Sequence, residues 1–295
     1  LQGRKVLISE SEHHSNFVVW QEFAKRNKLE LCIIEYGENW EQDLLNQIDD
    51  SVALLGLSLM SNVTGLRPKS LDEIMKKASE SNVITVLDAC QSIVHQQDDV
   101  KALNCDFLVF SAHKLYGPTG LGILYIKSNL MQLLNPVRFG GGMVEDVQRS
   151  QSSYLEGPMK FEAGTPNIAA VLAFAKVLEF LREISNEKIY IYELELAKYL
   201  HQQLSQLSGF KVLGGLQSVR TLYALDFDKV HSHDLAYGLG MKNICVRAGQ
   251  HCTNPLHASL DSRASLRVSL GMYNTRADID EFVLELEKVL NFFKK

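Results

Sequence analysis

Apolar and polar positions in the first half of the chain fall into blocks that switch between a strand period and a helix period. Val6-Leu7-Ile8-Ser9 predicts a short strand, and a helical pattern over 16–26 follows it. A strand over 29–36 and a short helix over 41–48 come next. The run Val52-Ala53-Leu54-Leu55-Gly56-Leu57-Ser58-Leu59 is almost unbroken in its apolar character, the mark of a strand covered on both faces. Residues 70–81 read as a helix, with Ser70 and Glu73 spaced as a capping box. Val83-Ile84-Thr85-Val86-Leu87-Asp88, Asp106-Phe107-Leu108-Val109-Phe110 and a run over 120–126 read as further strands. Alternating strands and helices predict an α/β layer fold with a mostly parallel sheet.

The pattern changes further on. Helices are expected over 168–181 and 187–207, then strands over 210–213, 221–227, 244–247 and 266–270, with helices over 234–239 and 278–293. This reads as a smaller α+β domain, and the expected division is 1–183 and 184–295.

Composition narrows the function classes. The 295 residues are 46% hydrophobic and 22% charged, ordinary values for a globular chain. A net charge of -5 gives no basic field for nucleic acid or an anionic membrane. The longest apolar runs are strand-sized, too short to span a bilayer. The first residues, Leu1-Gln2-Gly3-Arg4-Lys5, pass at once into a strand pattern and show no signal peptide. The first residue is not methionine, so a fragment or a processed form is expected. The five cysteines are odd in number and none has CxxC spacing, which points to a reducing compartment such as the cytoplasm.

In parallel sheets ligands gather at the carboxyl ends of the strands. The polar residues expected there are His13, Asn62, Asp88 with Gln91, and Ser111 with His113 and Lys114. A lysine at the tip of a buried strand, beside a hydroxyl and an imidazole, is placed to act as a Schiff-base amine. Thr165-Pro166 before the 168–181 helix suits a helix cap and a phosphate site. His231-Ser232-His233-Asp234 lacks further ligands at matching spacing and reads as a helix cap, not a metal site. Cys252 lies in a loop bounded by Gly249 and Pro255, beside His251 and five residues from Arg247, where positive neighbours favour a thiolate.

As chemistry, a Schiff-base lysine calls for an electron-sink cofactor, of which pyridoxal phosphate is the common one. Asp88 suits its ring nitrogen, Ser111 and His113 its phosphate, and His13 its ring face. Arg247 and Arg267 suit a substrate carboxylate.

The ordered segments EHH, SNVTG, DACQS, FSAHKLYGPTG, FEAGTPN, RAGQHC and SLGMYNT resemble the cysteine desulfurases of the class V aminotransferase family, in the group that includes the bacterial Suf and Csd enzymes. The resemblance runs from about Val6 to the C-terminus. It implies the pyridoxal-phosphate fold type I and conversion of L-cysteine to L-alanine, with sulfur held as a persulfide on Cys252 and passed to an acceptor protein for iron-sulfur cluster or other sulfur-cofactor assembly. It implies that Lys114 carries the cofactor, that Asp88 meets the ring nitrogen and Gln91 the ring oxygen, and that His13 stacks on the ring. It assigns the phosphate to Ser111 and His113, joined by Thr165 from the second copy of a homodimer. Asn62 and Arg267 would hold the substrate carboxylate, with Arg247 helping near the thiol. Selenocysteine lyases and other class V aminotransferases share this scaffold, and a non-catalytic fragment is the alternative outside enzymology. Two departures stand out. Thr253 follows the cysteine where many relatives have alanine. The family also carries roughly a hundred residues, a domain-scale length, before the point matched by Leu1. That segment supplies a phosphate-binding threonine and part of the dimer interface.

Overall fold

The structure, a computed structural model, describes residues 4–96 and 98–293. Five strands of one sheet run parallel: β1 (Lys5–Ser9), β2 (Glu30–Ile34), β3 (Val52–Ser58), β4 (Ile84–Asp88) and β5 (Phe107–Ser111). Helices α1 (His14–Asn27), α2 (Trp40–Gln47), α3 (Leu71–Glu80) and α4 (Val100–Leu103) connect them. The sixth strand, β6 (Gly122–Ile126), returns antiparallel to β5, and the order across the sheet is β2-β1-β3-β4-β5-β6.

The apolar run that predicts β3 is explained by cores on both faces of the sheet. On one side Leu7, Leu55, Leu57, Leu87 and Leu108 pack with Leu44, Leu45, Ile74 and Ala78 of α2 and α3. On the other, Val6, Ile8 and Leu54 meet Phe17, Trp20 and Ala24 of α1. Successive residues of a strand point to opposite faces, so both sides need apolar residues. Gly56 is required where α1 crosses β3, because a Cβ there would run into the Trp20 indole.

Beyond β6 come α5 (Ser128–Met131) and an exposed hairpin of β7 (Val144–Val147) and β8 (Ser152–Tyr154). The hairpin is absent from the sequence reading because its strands, VEDV and SSY, are mostly polar and exposed. Two long helices, α6 (Ile168–Ile184) and α7 (Asn186–Gln206), lead to a second, antiparallel sheet. Its strands are β9 (Lys211–Val212), β10 (Leu222–Asp226), β11 (Arg247–Gly249) and β12 (Ser265–Ser269), in the order β11-β12-β10-β9. Helices α8 (Ser232–Gly240), α9 (Asn254–Ser259) and α10 (Arg276–Phe293) complete it. Leu200, Tyr223, Leu225, Leu239, Leu266 and Leu286 anchor its separate core.

Three local expectations meet different outcomes. His231 caps α8 as expected, its ring accepting from the His233 N–H at 3.3 Å. Ser70 and Glu73 form no capping box, because Glu41 of α2 takes the Ser70 N–H at 2.6 Å. The cap of α6 is Asn167, whose side chain accepts from the Ala170 N–H, while Thr165 stays exposed two residues upstream.

The two sheets are joined by a buried cation. Arg220, 5% exposed, donates to the backbone carbonyls of Thr64, Leu213 and Gly215. It therefore fixes the 61–65 turn after β3, and Asn62 with it, against the second sheet.

Candidate active site

Because β1, β3, β4 and β5 run parallel, their carboxyl ends deliver residues to one edge. His13, Asn62, Asp88, Gln91 and Lys114, five of the residues singled out in the sequence, line one cleft there. Ser58, Met60 and Cys90 complete the lining and were not singled out. Asp88, 7% exposed, accepts the Cys90 N–H at 2.9 Å through one carboxylate oxygen. Lys114, half-buried, stands in the turn 112–115 after β5.

His13 caps α1, and its Nδ1 accepts from the Ser15 N–H at 3.1 Å. Burial first, and the Lys114 charge next, push its pKa down, so the ring is neutral near pH 7. Its proton therefore sits on Nε2. Cys90 has the opposite character to a reactive thiol: burial, then the Asp88 charge, push it up to about 11, and it stays protonated.

Beneath the cleft lies a carboxyl group that the sequence reading overlooked. Glu12 is fully buried and accepts four hydrogen bonds, from Ser9 Oγ, Asn16 Nδ2, the Ser58 N–H and Ser58 Oγ. Burial raises its pKa to about 7 against the opposing pull of those donors. It ties the tip of β1, where His13 begins, to the tip of β3. EHH carried the signal, but an acid beside two histidines does not reveal that it points inward.

The Lys114 turn is bolted to the second sheet. Tyr116 takes a left-handed backbone, φ 58°, and its hydroxyl accepts the Met272 N–H at 3.0 Å while donating to buried Glu193 at 3.3 Å. Glu193 pairs with His95 Nδ1 at 2.7 Å. Leu115 and Tyr116 also face a larger, mainly apolar cavity against α6 and α7, which Lys114 does not line.

Cys252 is tied by its backbone to the start of α1, next to His13 of the cleft. Its carbonyl accepts the His14 N–H at 2.8 Å, and Asn254 N–H donates to His14 Nε2 at 3.3 Å. Arg247 Nη2 lies 3.7 Å from the Cys252 sulfur. Arg267 pairs with Arg247 across β11 and β12, and burial followed by the Arg247 charge lowers it to about 10. Arg267 Nη1 donates to the Asn62 carbonyl at 3.0 Å, while its buried Nε has no acceptor among the described residues. That leaves the Nε–Nη2 edge of the guanidinium for a carboxylate.

Not every expected residue enters the cleft. His113 is exposed, and Ser111 is approached by Cys90 at 4.0 Å, neither lining the cleft. Thr165 is exposed on the approach to α6. Asn62 lines the cleft, but its amide is engaged: Nδ2 donates to the His251 carbonyl at 2.7 Å and Oδ1 accepts from Thr253 Oγ1 at 3.1 Å.

The donor set suits pyridoxal phosphate: an amine, a buried carboxylate and a neutral flat imidazole share one cleft. The sequence matches the family described as aminotransferase class-V over residues 1–282. A probable cysteine desulfurase of Staphylococcus aureus strain Mu50 is 34% identical over 99% of this chain and 71% of its own length. The crystal structure of the Escherichia coli cysteine desulfurase CsdA, in an S-sulfonic acid form, superposes with a TM-score of 0.93 at 35% identity, covering 98% of this chain and 73% of that one. A C-DES mutant with glycine covalently linked to its PLP cofactor shares the fold at 20% identity, with a TM-score of 0.84 over 97% of this chain and 74% of that one.

Proposed function

The chain belongs to the aminotransferase class-V family, and from that premise we propose how its residues carry out cysteine desulfuration. It is a pyridoxal-phosphate-dependent enzyme of the fold type I class. The reaction converts L-cysteine and an enzyme thiol to L-alanine and an enzyme persulfide. The carbon–sulfur bond of the substrate breaks, a sulfur–sulfur bond forms, and no outside oxidant or reductant is needed. The observation that carries the reading is the joining of a Lys114–Asp88–His13 cleft to the Cys252 loop through His14 and Asn62.

Bound pyridoxal phosphate supplies an electron sink for bonds at the substrate α-carbon. Lys114 would hold the cofactor by its amine and is the base that would move the substrate α-proton. Buried Asp88 would face the ring nitrogen and favour its protonated form, and Gln91 would meet the ring oxygen. Neutral His13 would pack on the ring face. Ser111 and His113 serve the phosphate, with Thr165 supplied by a second copy in a homodimer. The open edge of Arg267 takes the substrate carboxylate, with Asn62 beside it. Arg247 faces the Cys252 sulfur at 3.7 Å, and that sulfur takes the one released from the substrate.

The two sheets correspond in this proposal to domains 1–183 and 184–295, the first holding the cofactor and the second the sulfur-accepting loop. The persulfide passes to an acceptor protein of the Suf/Csd type in the cytoplasm, for iron-sulfur cluster assembly. No helix among the described residues is long and apolar enough to cross a membrane. Selenocysteine, with a weaker bond to carbon, is the alternative substrate.

The test is alanine release from L-cysteine, followed together with the visible absorption of the bound cofactor. Turnover that requires both Lys114 and Cys252 supports the proposal. Full turnover by Cys252→Ala refutes the sulfur-acceptor role. A requirement for a keto acid makes the enzyme an aminotransferase, and Cys252-independent turnover of selenocysteine alone makes it a selenocysteine lyase.

A further inference from the structure

His251 and Cys252 both have left-handed backbones, φ 54° and 60°. Such residues are strained and persist where their surroundings over-determine them. The surroundings here are a closed set of buried hydrogen bonds whose direction can be worked out. The Thr253 carbonyl can only accept, so the contact with His257 Nδ1 at 3.0 Å places a proton on that nitrogen. Burial lowers the His257 pKa, and the neutral ring then has a bare Nε2. That Nε2 lies 3.0 Å from Ser265 Oγ and must receive the serine proton. Ser265 has no second proton to give, so His251 Nε2, also 3.0 Å away, must donate to it. His251 is held well below its ordinary value, at about 3, by burial and then by Arg267, so its remaining nitrogen, Nδ1, is a bare lone pair. That Nδ1 is buried and has no partner among the described residues. His257, Ser265 and Thr253 are fully buried and His251 is 2% exposed.

We propose that His257 is a positioning residue for the sulfur-accepting thiol: acting through Ser265, it selects the Nε2–H tautomer of His251 and holds the 251–253 backbone so that Cys252 is presented in its left-handed conformation between the start of α1 and Arg247. The chain of command runs from the Thr253 carbonyl through His257 and Ser265 to His251, and it returns to Thr253 through the backbone of Cys252. Asn62 grips the same loop from the first sheet by the His251 carbonyl. His257 touches neither substrate nor cofactor in this scheme.

The proposal rests on the desulfurase reading for its kinetic consequence but not for its spectroscopic one. In 15N-histidine spectra of the protein, His257 should appear as the Nδ1–H tautomer and His251 as the Nε2–H tautomer, whether or not cofactor is loaded. Opposite tautomers, or a protonated His251 at pH 7, overturn the proposal. In the loaded enzyme, His257→Leu and Ser265→Ala should each lower kcat about tenfold, within the up to ~100-fold range that misplacement of a reacting group produces. KM for cysteine and the visible cofactor absorption should stay within about twofold. Ser265→Thr keeps the hydroxyl and should restore most of kcat, which a purely space-filling role for position 265 does not predict. If His257→Leu fails to fold, the Ser265→Ala and Ser265→Thr pair decides. Unchanged kcat in Ser265→Ala, or equal losses in the alanine and threonine variants, overturns the proposal. An unsubstituted protein without cysteine turnover counts against the desulfurase reading alone, because the tautomer assignment stands or falls separately.

Discussion

In the proposed reaction Lys114 and Cys252 act on one substrate, but they reach their places by different means. Lys114 is set chiefly by strand geometry: β5 ends, a single turn follows, and the large apolar core beneath keeps β3, β4 and β5 in register, with the Tyr116 hydroxyl as the polar tie of that turn to the second sheet. Cys252 is set by polar contacts around two left-handed residues. Hydrophobic burial is non-directional and tolerates small changes, whereas hydrogen-bond direction is all-or-none for each donor. The comparison implies that the cofactor half of the site is robust and that the sulfur-accepting half is sensitive to single polar atoms.

The largest expected effects separate the two halves. Lys114→Ala should remove the visible absorption of lysine-bound cofactor and lower alanine formation by ~10³-fold or more, since it deletes both the anchoring amine and the acid–base group. Cys252→Ala should leave that absorption intact and still abolish alanine formation from cysteine. Absorbance and alanine assays on the same samples check both. Loss of absorption in Cys252→Ala means that the halves are not independent and the comparison fails.

Glu12 asks whether the strand-tip half is as apolar in its support as the comparison holds. Its carboxyl is raised from the ordinary 4.5 to about 7 in the fold. Between those values the folded protein keeps a proton that the unfolded chain has released, so stability falls as pH rises through this window and levels off above it. The loss approaches ~3 kcal/mol at most. Glu12→Gln should remove this part of the pH dependence, read as the difference between urea unfolding at pH 5 and at pH 8. Parallel pH dependence in the two proteins places the proton elsewhere.

Arg267 probes the border between the halves, because it rises from the second sheet to the Asn62 carbonyl of the first. Arg267→Lys loses the two-pronged edge, and a charge-assisted hydrogen bond is worth about 1.5–3 kcal/mol. KM for cysteine should rise roughly 10- to 100-fold, with the cofactor absorption unchanged. A fall in kcat at constant KM instead assigns Arg267 to the thiol and not to the substrate.

The difference in construction also decides what the sequence could reveal. Both faces of β3 are covered by core, so VALLGLSL announces a buried strand. Parallel order then brings His13, Asn62, Asp88, Gln91 and Lys114 to one edge with no further information. Glu12 escaped because its four donors come from three separate segments. The Asn62–Thr253 contact beside Cys252 escaped for the same reason: the two residues lie 191 positions apart, and nothing local marks the pair. The helix caps show the limit on a small scale, since Ser70 has the right local spacing yet its N–H goes to Glu41 on another helix.

Thr253 gives the smallest effect and the finest division of the sulfur-accepting half. Its hydroxyl donates to Asn62 Oδ1 at 3.1 Å, a bond that an alanine cannot make. Thr253→Ala leaves the Asn62-to-His251 bond in place, and it also leaves the Thr253 carbonyl that orients His257, since the backbone is unchanged. The cost should be that of one buried hydrogen bond and a small void, about 1 kcal/mol in unfolding free energy. Alanine formation should change by less than about threefold, because the tautomer chain through Ser265 is intact. A change in kcat as large as that of Ser265→Ala would show that Asn62, held by Thr253, governs the loop instead of the histidine pair. The control of Cys252 would then reside in the first sheet, and the contrast between a strand-built half and a hydrogen-bonded half would dissolve at Asn62.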